Sequence, residues 1–206
     1  MGLFDVKNIT RRADRLMNYH VEMLNQMGKK FERDGESFYS YDSNGEDYLR
    51  IGYNKTKKML SRTFNLEIKQ VINNIEFDDS FKIKLRFQGF KEINGAKFVS
   101  EKSKGMESGY EDLFNNGVLL EKIWKLAKEV EMAYIKIEYI KRSNQLEIRI
   151  CPYAGAFLWV VVPPVFYDMK LKQQELVSLM KMIGVIKSYV LKMIEKEDGY
   201  MEGPAA

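Results

Sequence analysis

The chain has 206 residues, 45% hydrophobic and 30% charged, with 12 Tyr, 12 Phe and 2 Trp; this balance excludes intrinsic disorder and supplies a core that needs no metal or disulfide. The net charge of +4 comes from 33 basic and 29 acidic residues, and 24 Lys against 9 Arg weighs against a dedicated nucleic-acid reader, because Arg is the better ligand for phosphates and bases. A single cysteine, Cys151, excludes an internal disulfide, and no basic-then-apolar leader opens the chain, so the expected location is the cytoplasm.

Apolar residues at Val6, Ile9, Ala13, Leu16, Met17, His20, Met23, Leu24, Met27 and Phe31 follow helical spacing. They predict a first long helix over 6–31, capped by Asp5 and stopped at Asp34-Gly35. Lys7, Arg11, Arg12, Arg15, Lys29, Lys30 and Arg33 against Asp14, Glu22 and Glu32 give it a local excess of four positive charges, equal to that of the whole chain. Phe38–Tyr41 and Tyr48–Ile51 flank Asn44-Gly45 and predict a hairpin. From Asn54 to Asp79 the pattern is ambiguous, since Ile68, Val71, Ile72 and Ile75 fit a helix while Leu66 and Ile68 fit a strand.

Phe81, Ile83, Leu85 and Phe87 alternate with Lys82, Lys84, Arg86 and Gln88, the pattern of a half-buried strand with a basic outer face. A bulge is expected at Gly89, and a two-residue turn at Asn94-Gly95 would set Glu92 opposite Lys97 and Phe90 opposite Val99. After a polar connection over 101–109, Ser108 and Glu111 form a capping box for a helix ending near Met132. Leu113, Leu120, Ile123, Trp124, Ala127 and Val130 make its inner stripe, and Asn115-Asn116-Gly117 divides it.

Tyr134–Ile140 and Leu146–Ile150 predict a third hairpin. A register that sets Glu138 opposite Arg149 is favoured over one that sets it opposite Glu147, because like charges across a strand pair repel. Cys151 to Tyr167 is uncharged, but Pro152, Gly155, Pro163 and Pro164 make it strand and turn rather than a membrane span. Within it Phe157–Val162 is continuously apolar, as for a strand buried on both faces and stopped by the prolines. A last helix over 171–196 turns Leu176, Leu179, Met180, Ile183, Ile186, Val190, Met193 and Ile194 inward and closes at Gly199.

The order helix, strands, helix, strands, helix, without βαβ alternation, predicts one α+β domain over 1–206. It would hold three long helices and a mainly antiparallel sheet of about six to eight strands, with 1–5 and 200–206 as flexible ends. This order resembles that of secretion-chaperone-like folds, dimeric modules that bind other proteins. The resemblance is one of topology.

No phosphate-binding loop is present, since Gly105 and Gly109 lack the following lysine, and the topology offers no place for a dinucleotide fingerprint. The acidic turn at 42–47 has its glycine at the fourth position and Tyr53 at the twelfth, unlike a calcium loop. His20, alone of its kind, reads as a core or interface histidine, and Cys151 as a buried inert thiol. Asp78-Asp79 and Glu111-Asp112 read as turn and cap residues. No catalytic residue, cofactor or metal is expected. The opening Met1-Gly2 is followed by Val6 where a myristoylation site carries Ser or Thr.

Two candidate surfaces remain. One, for an anion or a partner, comprises Lys7, Arg11, Arg12 and Arg15 with Lys82, Lys84 and Arg86; the other, an apolar contact surface, comprises Tyr153, Phe157, Trp159, Pro163, Pro164, Phe166 and Tyr167. The leading expectation is a non-enzymatic protein-binding, adaptor or chaperone-like module that pairs with another protein or with itself as a homodimer. The alternatives are a peripheral binder of anionic lipid or nucleic acid acting through the basic helix, and an enzyme of unrecognised type whose residues converge only in three dimensions.

Overall fold

The computed structural model of the chain describes residues 6–41, 47–88, 95–101, 109–163 and 165–198, with the side chains of all but 6, 7 and 195–198. The first helix, α1 (Val6–Gln26), ends earlier than its apolar spacing implies. Gly28 adopts φ +85°, and the Gly28 and Lys29 amides donate to the carbonyls of Asn25 and Leu24 at 3.0 and 3.2 Å, a Schellman closure that outweighs the continuing pattern at Phe31. Lys29, Lys30 and Arg33 therefore leave the helix, which keeps four basic residues against Asp14 and Glu22. Asp34-Gly35 is no helix stop: β1 (Glu32–Asp34) pairs with β2 (Ser37–Tyr41) across a turn in which Gly35 has φ +59°.

β2 pairs with β3 (Tyr48–Lys58), the first hairpin read from the sequence, although its Asn44-Gly45 turn lies outside the described residues. The undecided stretch is extended: β3 pairs along its length with β4 (Ser61–Ile72), from Tyr48 opposite Val71 to Lys58 opposite Ser61. Phe64, Leu66, Ile68 and Ile72 are buried on one face, whereas Val71 is buried on the other. Two-sided burial at the end of β4 produces the helix-like spacing of Ile68, Val71 and Ile72.

β5 (Phe81–Gln88) and β6 (Gly95–Ser100) pair with Arg86 opposite Lys97 and Lys84 opposite Val99, which corrects the expected register. Phe98 is pinned opposite Leu85, and the Asn115 side chain bonds its backbone N–H and C=O at 2.8 and 3.1 Å. Gly89, Phe90, Glu92 and Asn94 lie outside the described residues.

α2 (Glu111–Phe114) and α3 (Gly117–Ala127) are divided where the Asn-Asn-Gly step implied, but α3 ends before the expected Met132, which belongs to the next strand, and Leu113 of the expected inner stripe is 42% exposed. Asn116 caps α3 by accepting from the Val118 and Leu119 amides. Ser108 is outside the described residues, but Glu111 does reach back to the Gly109 amide at 2.8 Å.

β7 (Met132–Ile140) and β8 (Gln145–Pro152) adopt the register that sets Glu138 opposite Glu147 and Lys136 opposite Arg149, the reverse of the charge-pairing expectation. The like charges are resolved sideways, by the strands beyond the hairpin. Lys69 of β4 bonds Glu147 at 3.0 Å, Lys82 of β5 lies 3.5 Å from Glu138, and Arg149 contacts both carboxylates.

β9 (Phe157–Val160) pairs with the first half of β4 and with β10 (Val165–Asp168), while β8 takes the second half of β4. β9 alternates buried and half-buried residues, and Val162 is 69% exposed, so this segment is not buried on both faces as its apolar run implied. α4 (Gln173–Asp198) closes the order of elements, and its expected stop at Gly199 lies outside the described residues.

The result is α+β, with a ten-stranded sheet in the order β1-β2-β3-β4-β8-β7-β5-β6 and with β9 and β10 branching from β4. Every described strand pair is antiparallel. The inward strand residues and the helices share a large core that includes Leu66, Ile137, Ile148, Ile123 and Ile183. A smaller, separate cluster joins Ile9, Ala13 and Leu16 of α1 to Phe64, Phe157 and Trp159.

Candidate functional site

The small cluster decides where the two sequence-derived surfaces go. Its apolar contacts seat the first turns of α1 over β4 and β9, and the Tyr53 hydroxyl donates to the Ala13 carbonyl at 3.0 Å, fixing the helix to β3. Burial, with Asp14 and Asp168 adding to it, pushes the Tyr53 phenol far up, so it stays a donor at any physiological pH. This seating lays the Arg12 guanidinium over the Phe166 ring at 4.2 Å, while Arg62 lies 5.8 Å from the Trp159 ring. The basic helix and the aromatic segment, far apart in the chain, form one surface.

Within that surface the aromatics divide. Phe157 and Trp159 are buried beneath α1 and serve as its support. Tyr153, Pro163, Phe166 and Tyr167 are exposed, with Phe166 on the α1 side of the β9–β10 hairpin and Tyr167, one residue on, directed to its opposite face. Pro164 and the Lys7 side chain lie outside the described residues.

The end of this surface was not legible in the sequence. The β3–β4 hairpin turns at Met59-Leu60, and these two side chains are 97% and 52% exposed. The Val161 amide donates to the Leu60 carbonyl at 2.9 Å, which ties the turn to the exposed Val162 of the neighbouring loop. Turn tips are normally Gly, Asn, Asp, Pro or Ser, so an apolar Met-Leu pair between Lys57-Lys58 and Arg62 is the signal that could have found this site, once the segment was known to be a hairpin.

Cations flank the tip on β3 and line the neighbouring helix. Arg11, Arg12 and Arg15 are exposed on α1, and Lys57 and Lys58 are exposed on β3. Two of the nearby acids are engaged, Asp14 facing Arg33 at 3.6 Å and Glu36 pairing with Lys55, while Asp168 is exposed on β10. No ion pair among the described residues neutralises Arg11, Arg12, Arg15, Lys57, Lys58 or Arg62.

Lys82, Lys84 and Arg86 are elsewhere, on the outer face of β5, and are not brought to the α1 arginines. Lys82 is committed to Glu101 and Glu138 at 3.9 and 3.5 Å. The same outer face carries Tyr134, whose hydroxyl donates to Glu67 and accepts from the Asn54 amide at 3.3 Å, with Cys151 beside it. Burial raises the Tyr134 phenol strongly and, with Glu67, raises the Cys151 thiol to about 11, so both hold their protons at neutral pH and neither is an activated nucleophile.

Among the described residues no three His, Cys, Asp or Glu side chains gather as metal ligands would, and no helix is long and apolar enough to cross a membrane. Asp47, the last acid of the acidic turn at 42–47, bonds Lys187 at 2.7 Å and the Asn73 amide at 3.0 Å.

A family model described as "Protein of unknown function (DUF3156)" matches residues 23–190. The chain belongs to the DUF3156 family. The matched stretch contains the β3–β4 tip and the β9–β10 hairpin, and it begins after Arg11, Arg12 and Arg15. No curated protein and no solved structure matches the chain.

Proposed function

We propose that this DUF3156 protein is a non-enzymatic binding module that attaches peripherally to anionic membrane surfaces through the β3–β4 tip. The observation that carries this reading is the exposure of Met59, Leu60 and Val162 together beside Lys57 and Lys58, which no ion pair among the described residues neutralises. Such a tip is costly in water and useful at a bilayer interface. Fully burying a Leu or Met side chain contributes about 1.5–3 kcal/mol, and each Lys or Arg near an anionic leaflet about 1 kcal/mol. A few of each reach roughly 8 kcal/mol, the scale of micromolar binding. Exposed Phe166 and Tyr167 add rings suited to the headgroup level.

The test is co-sedimentation with vesicles of phosphatidylcholine alone and of phosphatidylcholine containing about one-third phosphatidylserine. Binding is expected only to the anionic vesicles, weakening steeply with salt, and lost in Met59→Asp/Leu60→Asp while the melting temperature is unchanged. Equal binding by that variant, or binding to DNA with the same salt response and none to vesicles, would overturn the reading.

A second reading, a protein-binding or chaperone-like homodimer, is favoured by β10. Among the described residues β10 pairs only with β9, which leaves its other edge open for strand addition. Light scattering on the same samples separates the two, since a dimer held by that edge has twice the chain mass without lipid.

A further inference from the structure

α3 and α4 run antiparallel, with the Ser178 hydroxyl bonded to Glu129 just past the C-terminal end of α3 and the Tyr189 ring against Phe114 near its beginning. Between them lies a surface groove of about 760 Å³. Its floor is apolar, formed by Leu119, Leu126, Val185 and Tyr189, and Val118 stands 63% exposed at its α3 end. Its rim is cationic, with Lys122 and Lys125 on one side and Lys181 and Lys192 on the other, and among the described residues no acidic one lines it. Lys125 pairs with Glu121 at 2.7 Å, whereas no ion pair among the described residues neutralises Lys122, Lys181 or Lys192. Gly184 sits on the α4 side, and a Cβ there would meet nothing within 4 Å.

We infer that this groove receives an amphipathic helix of a partner protein with acidic residues flanking its apolar face. Four observations select this occupant. The groove follows the α3 helix, whose 11 residues span roughly 16 Å, the length of about three helical turns. It is open along its length, unlike the enclosed sites that bury most of a small ligand, and this suits a helix laid into it. The lysines on both sides demand an anionic rim on the partner, and the missing side chain at Gly184 leaves room for a partner side chain to enter.

The groove is built by helices that pack on β6 and β8, whereas the tip projects from the β4–β9 side, so this site is distinct from the proposed membrane surface.

The probes are two fluorescein-labelled synthetic helices that share one leucine face, flanked by Glu in the first and by Lys in the second, titrated by anisotropy. The Glu peptide is expected to bind about tenfold or more tighter than the Lys peptide. Lys122→Glu/Lys192→Glu should invert that preference. Gly184→Leu should weaken the Glu peptide severalfold while retaining the wild-type circular dichroism spectrum, because the open space accepts the new side chain at no cost to the fold. Equal affinity for the two peptides, undiminished binding to Gly184→Leu, or no binding up to about millimolar peptide would overturn the inference. Displacement of the Glu peptide by oleate at lower concentration than by unlabelled peptide would also overturn it, assigning the groove to a single-chain amphiphile. Vesicle binding is a separate readout, so failure of either proposal leaves the other standing.

Discussion

His20 shows how a single residue couples the fold to pH. It is fully buried, its Nε2 accepts the Leu171 amide at 3.2 Å, and its Nδ1 finds no partner among the described residues. A ring that accepts at Nε2 carries its proton at Nδ1, so the neutral tautomer is the one that fits. Burial first, and Lys170 second, lower its pKa from 6.5 to about 4. The folded state thus binds fewer protons than the unfolded state between these values. The stability associated with neutral His20 is complete above the unfolded pKa and falls as pH drops through that window toward the folded pKa. A difference of this size corresponds to about 3 kcal/mol. His20→Gln can keep an acceptor near Leu171 without titrating. Urea unfolding from about pH 7 down to about pH 4 should show wild type losing roughly 2–3 kcal/mol more than the variant. Parallel losses in the two proteins would exclude His20 as the source.

At the scale of elements, the β7–β8 pair shows why a hairpin cannot be solved in isolation. Burial alone would raise the Glu147 carboxyl, but hydrogen bonds from Arg149 and Lys69 outweigh it and hold it below its ordinary value. The Lys69 and Glu147 side chains are only 14% and 9% exposed, so their pairing is little screened by solvent. Breaking one partner leaves a partly buried charge uncompensated. A double-mutant cycle on Lys69→Met and Glu147→Gln should give a coupling of about 1–2 kcal/mol by chemical denaturation, with the double variant more stable than the sum of the singles implies. Additive losses would mean that the lateral pair does not hold the register.

The same elements measure what was readable. Three long helices, the antiparallel α+β class and the split at Asn115-Asn116-Gly117 all followed from apolar period and capping chemistry, which are local. The registers of β5–β6 and β7–β8 did not follow, because Asn115 and Lys69, which pin them, come from other elements. The tip escaped notice for a related reason. Met59 and Leu60 are conspicuous only on a hairpin, and the burial of Val71 on the second face of the sheet disguised that hairpin as a helix.

At the scale of the whole molecule, the arrangement sets the two proposed contact surfaces at separate places along one covered face of the sheet. The first turns of α1 join β4 and β9 through a small apolar cluster, and its later turns, with Met17, Val21 and Leu24, share the large core on which α3 and α4 also sit. Local opening free energy tracks buried apolar contact, so the tip end is expected to exchange its amides faster than the α3–α4 region in the free protein. Hydrogen exchange then tests whether the surfaces work independently. Anionic vesicles should raise protection over 55–62 and 158–162 and leave 181–192 unchanged, because the proposed lipid contacts are confined to the tip. The Glu-flanked peptide should do the reverse. With both present the two patterns should superimpose, and the peptide should sediment with vesicles only when the protein is there to carry it. Protection that spreads from either ligand into the other region would show the sheet to be a coupled two-state element rather than a rigid platform, since a ligand shifts a distant site only through differential binding to two states.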